Sequence, residues 1–204
     1  MADETLTESP NGGTAWRKFA YVALPGLVAA GVLGAATTQG LLAASFAVSG
    51  DNFKISASHL EGTGFAQYGD VATSVDKTSR PVGLSIIEEA ELSDMCMSAL
   101  LDLPIGKATL LIRAGEKTPV TATNMVVDVE QLNGNAHFSA IEIGRDASTL
   151  NKVSGPQGDS GAFALQSDTV TINDLTMVSW AVSSGTLRLS GLKLNVKPGT
   201  HECF

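Results

Sequence analysis

Apolar and polar residues alternate along most of the chain that follows residue 50. This period-two pattern, rich in Val, Ile and Thr, is typical of β-strands that bury one face and expose the other. The segments that share it are 53–57, 109–113, 126–129, 137–143, 169–173 and 186–196. Turn-forming Gly, Asn, Ser and Pro residues separate them. We therefore predict a mainly β domain over residues 51–204, built as an extended sandwich, a curved sheet or a short β-solenoid.

Local patterns within this domain refine the prediction. Residues 86–103 contain helix-forming Glu, Ala, Met and Leu and fit either a short helix or two strands, and Pro104 would end either one. Asn133-Gly134 is the strongest hairpin-turn signal in the chain. A loose recurrence, in which a strand meets a Leu or Met near a Gly or Asn, spans residues 57–60, 122–125 and 173–175. This recurrence suggests stacked strand–turn units.

The N-terminal region carries a different pattern. No charged residue occurs between Lys18 and Asp51. Residues 19–39 are mostly apolar and long enough to cross the hydrocarbon core of a bilayer, which takes about 20 residues. Trp16, Arg17 and Lys18 precede this stretch, as aromatic and basic anchors do on the cytoplasmic side of a membrane. The pattern predicts that everything after this stretch is exported.

These patterns predict a single-pass protein of the cell membrane whose C-terminal domain lies outside the cell. Its predicted parts are a disordered cytoplasmic tail at 1–15, a transmembrane helix or signal-anchor at 16–40, a linker at 41–50 and an exported β domain at 51–204. The alternative is a secreted domain, released by cleavage near Ala47.

The predicted membrane helix also carries a possible contact surface. Gly26, Ala30 and Gly34 fall on one face of it, and small residues at this spacing let a second helix approach closely. A segment rich in Ala and Gly also produces this spacing by chance. We therefore expect the lipid bilayer as a partner and a homo-oligomer as a further possibility.

Charge and cysteine content bound the chemistry of the domain. The formal net charge is −8, and no basic cluster follows the apolar stretch, which argues against nucleic acid as a partner. Cys96 and Cys203 both lie in the exported part. One disulfide is expected in an oxidising compartment, with two free thiols as the alternative. Neither His-x-His nor His-Glu-x-x-His occurs, and we predict no metal ion and no cofactor.

Residues 158–161 read Gly-Asp-Ser-Gly, the sequence that surrounds the nucleophile of trypsin-like proteases; Gly-Asp-Ser also opens a family of esterases. Acyl transfer further needs a base, a carboxylate that orients it and an oxyanion hole. The histidines of the chain are His59, His137 and His201, and none has the sequence surroundings of such a base. We therefore predict no catalytic residues and interpret Ser160 as part of a Gly/Ser turn.

Two other polar groups deserve a hypothesis each. Arg145 and Asp146 are adjacent at a strand end, where a charge-assisted hydrogen bond would fix a loop; the same pair could contact a ligand. Oxygen-bearing residues between 128 and 135 surround a predicted turn, as in a weak calcium site. They lack the spacing of an EF-hand, and a solvated hairpin end explains them better.

Five segments are specific when taken as a set. They are 43–50 (AASFAVSG), 60–69 (LEGTGFAQYG), 143–148 (IGRDAS), 191–194 (GLKL) and 202–204 (ECF). Through them the chain resembles a family of uncharacterised exported proteins from high-GC Gram-positive bacteria, classed as a domain of unknown function. The resemblance implies one N-terminal membrane segment and a small exported β-rich domain. Members are sometimes labelled cholesterol esterase, but no complete acyl-transfer site can be assembled here, and no family site residues carry over.

Three functions are compatible with these features. The first hypothesis is a non-enzymatic, membrane-anchored envelope protein that acts in surface assembly, by pairing of strand edges, or binds an envelope component. The second is a carrier of a lipid or small apolar molecule in a groove of a curved sheet. The third is a serine hydrolase, an esterase that uses Ser160. The anchor and the long alternating strands favour the first.

Overall fold

The computed structural model describes residues 50–75 and 77–204 of the chain. Its strands are β1 (Phe53–Thr73), β2 (Ser79–Ser93), β3 (Met95–Leu103), β4 (Gly106–Ala114), β5 (Val120–Ser139), β6 (Glu142–Asp146), β7 (Phe163–Ser183), β8 (Thr186–Arg188) and β9 (Lys193–Pro198). One 3₁₀ turn, Ala147–Thr149, follows β6. The prediction of a mainly β domain is therefore confirmed. Residues 86–103 are strand on both sides of Asp94, so the helix alternative for this stretch is wrong.

The predicted N-terminal parts lie outside the described residues. They are the tail at 1–15, the membrane segment at 16–40 and all of the linker at 41–50 except Gly50. The predicted helix contact at Gly26, Ala30 and Gly34 and the cleavage position near Ala47 lie there too. In the part of the chain that the structure describes, no helix is long and apolar enough to cross a membrane.

The strands form one antiparallel sheet that closes on itself. β1 pairs with β2 and β3 along one edge and with β7 along the other. β2 pairs in turn with β5, and β5 pairs with β7, which completes the circuit. β4 and β9 extend the sheet from β3. Of the three architectures compatible with the sequence, the observed one is a single, strongly curved sheet.

The long strands curve because neighbouring strands bend side by side at two positions along their length. Each bend contains residues that have no partner in the strand ladders. They are Ser58, Asp94 and Asp174 at the first bend, and Gly64, Glu88, Asn124 and Asp168 at the second. Asp94, Asn124 and Asp174 have positive φ angles of 52°, 48° and 55°, which Asp and Asn tolerate better than most residues. The recurrence seen in the sequence contains three of these positions and marks bends of a continuous sheet.

The predicted hairpin at Asn133-Gly134 is wrong. These residues lie inside β5, where the pairing with β7 shifts register between Asn133 and Asn135. Gly134 has a φ of 157°, and a Cβ added there would lie 2.6 Å from the Ile172 side chain. The Asn-Gly pair therefore supplies a β-bulge, which bends the strand without reversing the chain.

The two largest apolar clusters lie on opposite faces of the sheet. The larger contains Leu60, Phe65, Ile87, Val127, Val170 and Leu175, from all four strands of the circuit. It therefore fills the inside of the closed sheet. Among the immediate neighbours of these residues, Ala66 and Ile86 belong to the second cluster and Val126 packs against it. Because successive strand residues point to opposite faces, this second cluster lies outside, where it packs against Ala147 and Leu150.

The expected disulfide is present and joins Cys96 to Cys203, with 5.9 Å between the Cα atoms. It holds the C-terminal tail against β3 and β4. The Thr109 hydroxyl donates to the Gly199 carbonyl at 2.8 Å and accepts from the His201 N–H at 2.9 Å. The Cys203 N–H donates to the Ser98 hydroxyl at 3.0 Å. The tail thereby buries Ser98 and Thr109, which are 1% and 0% exposed.

Candidate functional site

A cleft opens where β2 and β5 separate. Their ladder ends at the pair Gly83–Val129. Beyond it, β2 continues as a partner of β1, and β5 continues as a partner of β7. The cleft between them has a volume of about 330 Å³, within the range of small binding sites.

The cleft has an apolar floor and a polar rim. Phe65 and Phe138 lie on the floor with ring centroids 5.6 Å apart, and the buried Ile172 lines it as well. On the rim, the Gln67 amide donates to the Ser85 hydroxyl at 2.9 Å. The Glu130 carboxylate accepts a hydrogen bond from the Asn52 amide at 3.0 Å. The site thus offers apolar contact together with hydrogen-bonding groups of fixed position.

The strand beside the cleft has an open edge. Within the described part of the chain, residues 130–137 of β5 run along β7 on one side, where all but Glu130 and Gly134 are paired, and along no strand on the other. All eight are exposed, and Leu132 and Ala136 also line the cleft. An open strand edge presents unpaired N–H and C=O groups and can accept another strand.

A group of carboxylates surrounds Tyr68 on the outer face of the same strands. Burial, and then Asp70, Asp128 and Asp159, raise the pKa of Tyr68 to about 12. Burial, and then Asp70, raise the pKa of Asp128 above its ordinary value. In the described residues, no group of three or more His, Cys, Asp or Glu side chains could hold a metal ion.

The structure places Arg145 and Asp146 at the start of the loop that covers the outer apolar cluster. Asp146 accepts from the hydroxyl and the N–H of Ser148 at 2.8 and 2.9 Å, and from the Gly161 N–H at 2.8 Å. These bonds hold the pKa of Asp146 below its ordinary value. The Arg145 guanidinium donates to the Thr149 carbonyl at 2.8 Å, and its Nε lies 3.4 Å from Oε2 of Glu142. Both residues thus contact their own loop.

A buried glutamine fastens the middle of this loop. Gln166 is 0% exposed. Its carbonyl accepts from the N–H groups of Asn151 and Lys152 at 2.9 and 3.1 Å, and its amide donates to Glu142 at 2.8 Å and to the Asn151 side chain at 2.9 Å. A further bond, from the Ser154 N–H to the Glu88 carboxylate at 2.6 Å, ties the loop to β2. These hydrogen bonds therefore hold the loop against β7 and β2.

Ser160 lies exposed in this loop. The Ala162 N–H donates to the Asp159 carbonyl at 3.1 Å and closes a turn around it. The His59 ring lies 2.8 Å from the Asn173 side chain, and the His201 ring lies 3.1 Å from the Pro198 carbonyl. Over residues 50–75 and 77–204, no hydrogen bond joins a histidine to Ser160. Ser160 thus lacks, in this part of the chain, the hydrogen bond to a histidine that the serine of an acyl-transfer triad makes.

The cleft was missed in the sequence because it arises from separation of strands that are distant along the chain. The usable signal was local: residues 130–137 contain only two apolar side chains, Leu132 and Ala136, although they follow a regularly alternating strand. Loss of alternation inside a strand indicates that one face has left the core.

No curated protein and no solved structure is detectably similar to this chain. A family model described as a family of unknown function, DUF6230, matches residues 49–204, so the chain belongs to this family.

Proposed function

We propose that this chain is a membrane-anchored protein of the cell envelope that acts without catalysis, by binding an extended polypeptide segment of a partner at β5. The observation that carries this proposal is the open edge of residues 130–137 beside the apolar cleft. The predicted membrane segment at 16–40 supplies the anchor.

The chemistry of the edge matches recognition by strand addition. In that mode, main-chain hydrogen bonds to an open edge provide affinity, and pockets for alternate side chains provide specificity. A partner strand beside Leu132 and Ala136 would direct one side chain towards the Phe65–Phe138 floor. An apolar side chain suits that floor, and Glu130 on the rim favours a neutral or cationic neighbour.

The bulge at Gly134 limits what can bind. It divides the open edge into two short pieces, because the register with β7 shifts there. Bulges and short free stretches are how natural sheets avoid uncontrolled edge-to-edge growth. The partner segment is accordingly short.

The two other hypotheses have less support. A carrier needs space for its cargo, but the inside of the closed sheet is filled by the larger apolar cluster. The cleft, at about 330 Å³, lies at the lower end of small-ligand sites. A hydrolase that uses Ser160 lacks a histidine hydrogen-bonded to that residue in the described part of the chain.

Selection of peptides against the full chain tests the proposal. We expect peptides with an apolar side chain to be enriched from a displayed random library and to bind in fluorescence anisotropy. Ala136→Trp places a ring in the cleft and should weaken binding at least tenfold. Ile143→Trp adds the same ring at an exposed position outside the cleft and should leave binding unchanged. No enrichment, or equal binding by both variants, would refute the proposal.

The anchor is tested separately. Membranes from cells that express the full chain are washed with alkaline carbonate, which removes peripheral proteins. The chain should stay in the membrane pellet. Its release would contradict the anchored form and favour cleavage near Ala47, which N-terminal sequencing of the released chain would reveal.

A further inference from the structure

A second surface lies where the chain enters the domain. Strands β3, β4 and β9 form a three-stranded extension of the sheet, which we call the entry sheet. Phe53, the first residue of β1, pairs with Ala99 in the middle of β3. Paired residues share a face of the sheet, and from Ala99 outwards one face of the entry sheet carries Ala99, Leu101, Leu110, Ile112, Leu194 and Val196.

Much of this apolar surface is exposed. Leu194 and Val196 on the last strand are 57% and 56% exposed, and Ile105 in the β3–β4 turn is 94% exposed. Leu103, next to that turn, is 42% exposed. Soluble proteins rarely expose contiguous apolar patches unless the patch contacts a partner or a membrane.

The entry sheet is also the basic part of an acidic domain. Strands β3, β4 and β9 contain four Lys and Arg residues against one Asp. The remaining residues from 50 onwards contain seven Lys and Arg residues against seventeen Asp and Glu residues. Lys107 lies two residues after Ile105, opposite Asp102 on β3, and Lys197 lies opposite Thr109 on β9. Both lysines belong to the face opposite the apolar one, so they come near the apolar side chains at the end of the sheet, beside the exposed turn. An exposed apolar turn with lysines on the strands beside it suits an anionic lipid surface, which attracts each basic residue.

We infer that the entry sheet docks on the surface of an anionic phospholipid bilayer, with Ile105 at the point of contact. This inference rests on the proposed membrane anchor. The predicted membrane segment ends near residue 39, and the eleven residues from there to Gly50 span at most about 40 Å when fully extended. An anchor of this kind would limit the distance between the bilayer and Gly50, just before the start of β1 at Phe53, to about 40 Å.

Pairing of β9 with β9 of a second copy is unfavourable in the register centred on the middle of the strand. A two-fold β9–β9 pair centred on Asn195 would place Lys193 opposite Lys197 of the other copy. Like charges directly opposite each other destabilise a strand pair, and lysines on an edge strand commonly prevent such pairing. The salt bridge of Lys193 with Glu116, at 2.7 Å, offsets part of this repulsion. A bilayer accepts both lysines without this repulsion.

Photocrosslinking of the full chain in vesicles tests this docking. A benzophenone amino acid replaces Ile105 in one variant and Val71 in another. Val71 is a matched control, because it is 59% exposed and lies beside the turn that follows the other end of β1. The vesicles contain phosphatidylcholine and phosphatidylglycerol, with pure phosphatidylcholine for comparison. We expect lipid adducts at position 105, few at position 71, and fewer at 105 without the anionic lipid.

The lysines provide a graded second measurement. Lys107→Gln and Lys197→Gln should each lower the adduct yield at position 105 up to about fivefold, the factor that corresponds to about 1 kcal/mol for a basic residue near an anionic surface. Carbonate washing of the same vesicles shows whether the anchor holds. If the washed chain stays in the vesicles but gives no lipid adducts at position 105, the docking is wrong and the anchor stands. Crosslinks between copies at position 105 lead to the same conclusion. A chain that washes off overturns the anchor.

Discussion

Replacing Gln166 by Met should loosen residues 147–162 from the sheet while keeping the size of the side chain nearly constant. The substitution removes the carbonyl that accepts from the N–H groups of Asn151 and Lys152, and the amide that donates to Glu142. It also places no charge in a site that is 0% exposed in the wild type. Any effect therefore reports on the hydrogen bonds.

The expected loss of stability follows from the number of hydrogen-bond donors that the substitution leaves without an acceptor. A buried donor without a partner costs about 1–3 kcal/mol, and two backbone donors lose theirs. Asn151 is exposed and Lys152 is partly exposed, so water recovers part of this cost. We expect the free energy of unfolding to fall by about 2–4 kcal/mol.

The assay is urea unfolding with the disulfide intact, combined with hydrogen exchange of the loop amides. Amides near Asn151 and Lys152 should exchange much faster in the variant, and those of β1 should change little. Gln131→Met is the matched control, because Gln131 is exposed, and should change stability by less than about 0.5 kcal/mol. A loss below about 1 kcal/mol with unchanged loop exchange would refute the assigned role of Gln166.

Three further predictions concern stability. Replacing Cys96 and Cys203 by Ser should lower the free energy of unfolding by about 4–5 kcal/mol in urea titrations, since the disulfide closes a separation of 107 residues; a loss below about 1 kcal/mol would refute this. Burial raises the pKa of Asp128, so its charge costs stability at neutral pH, and protonation relieves this cost as the pH falls. Asp128→Asn should therefore raise the urea midpoint at pH 7 and match the wild type near pH 4; a lower midpoint at pH 7 would contradict the sign. Gly134→Ala should lower the melting temperature because its Cβ meets Ile172 at 2.6 Å, whereas Gly69→Ala, with open space around it, should not; equal shifts would exclude the clash.

The strands could be predicted from the sequence because alternation is a local property. Segments such as 53–57 and 169–173 alternate between two environments, and a strand is the element that separates them by faces. One disulfide could also be predicted from the sequence, because the chain has two cysteines and both lie in the predicted exported part. The prediction of a hairpin at Asn133-Gly134 was wrong because the same dipeptide also suits a β-bulge. The pairing of β5 with β7 decides between the two.

The candidate surfaces depended on pairings between distant segments. The cleft exists because β5 leaves β2 at Val129 while staying on β7. The basic, apolar entry sheet exists because β9 returns to β4, which brings residues 193–198 beside residues 108–113. Neither segment forms a basic cluster alone, and the charge separation became visible only once they were neighbours.

The sequence by itself determined that the chain is mainly β, that one disulfide is possible and that an apolar stretch of membrane-spanning length precedes the domain. Only the tertiary structure decided that the sheet closes, where it opens again at the cleft, and which end carries the basic residues. The physical reason is that periodicity and composition act within a few residues. Closure and charge separation depend on the registers of strands separated by up to 126 residues along the chain, as in the pair Phe53–Ser179.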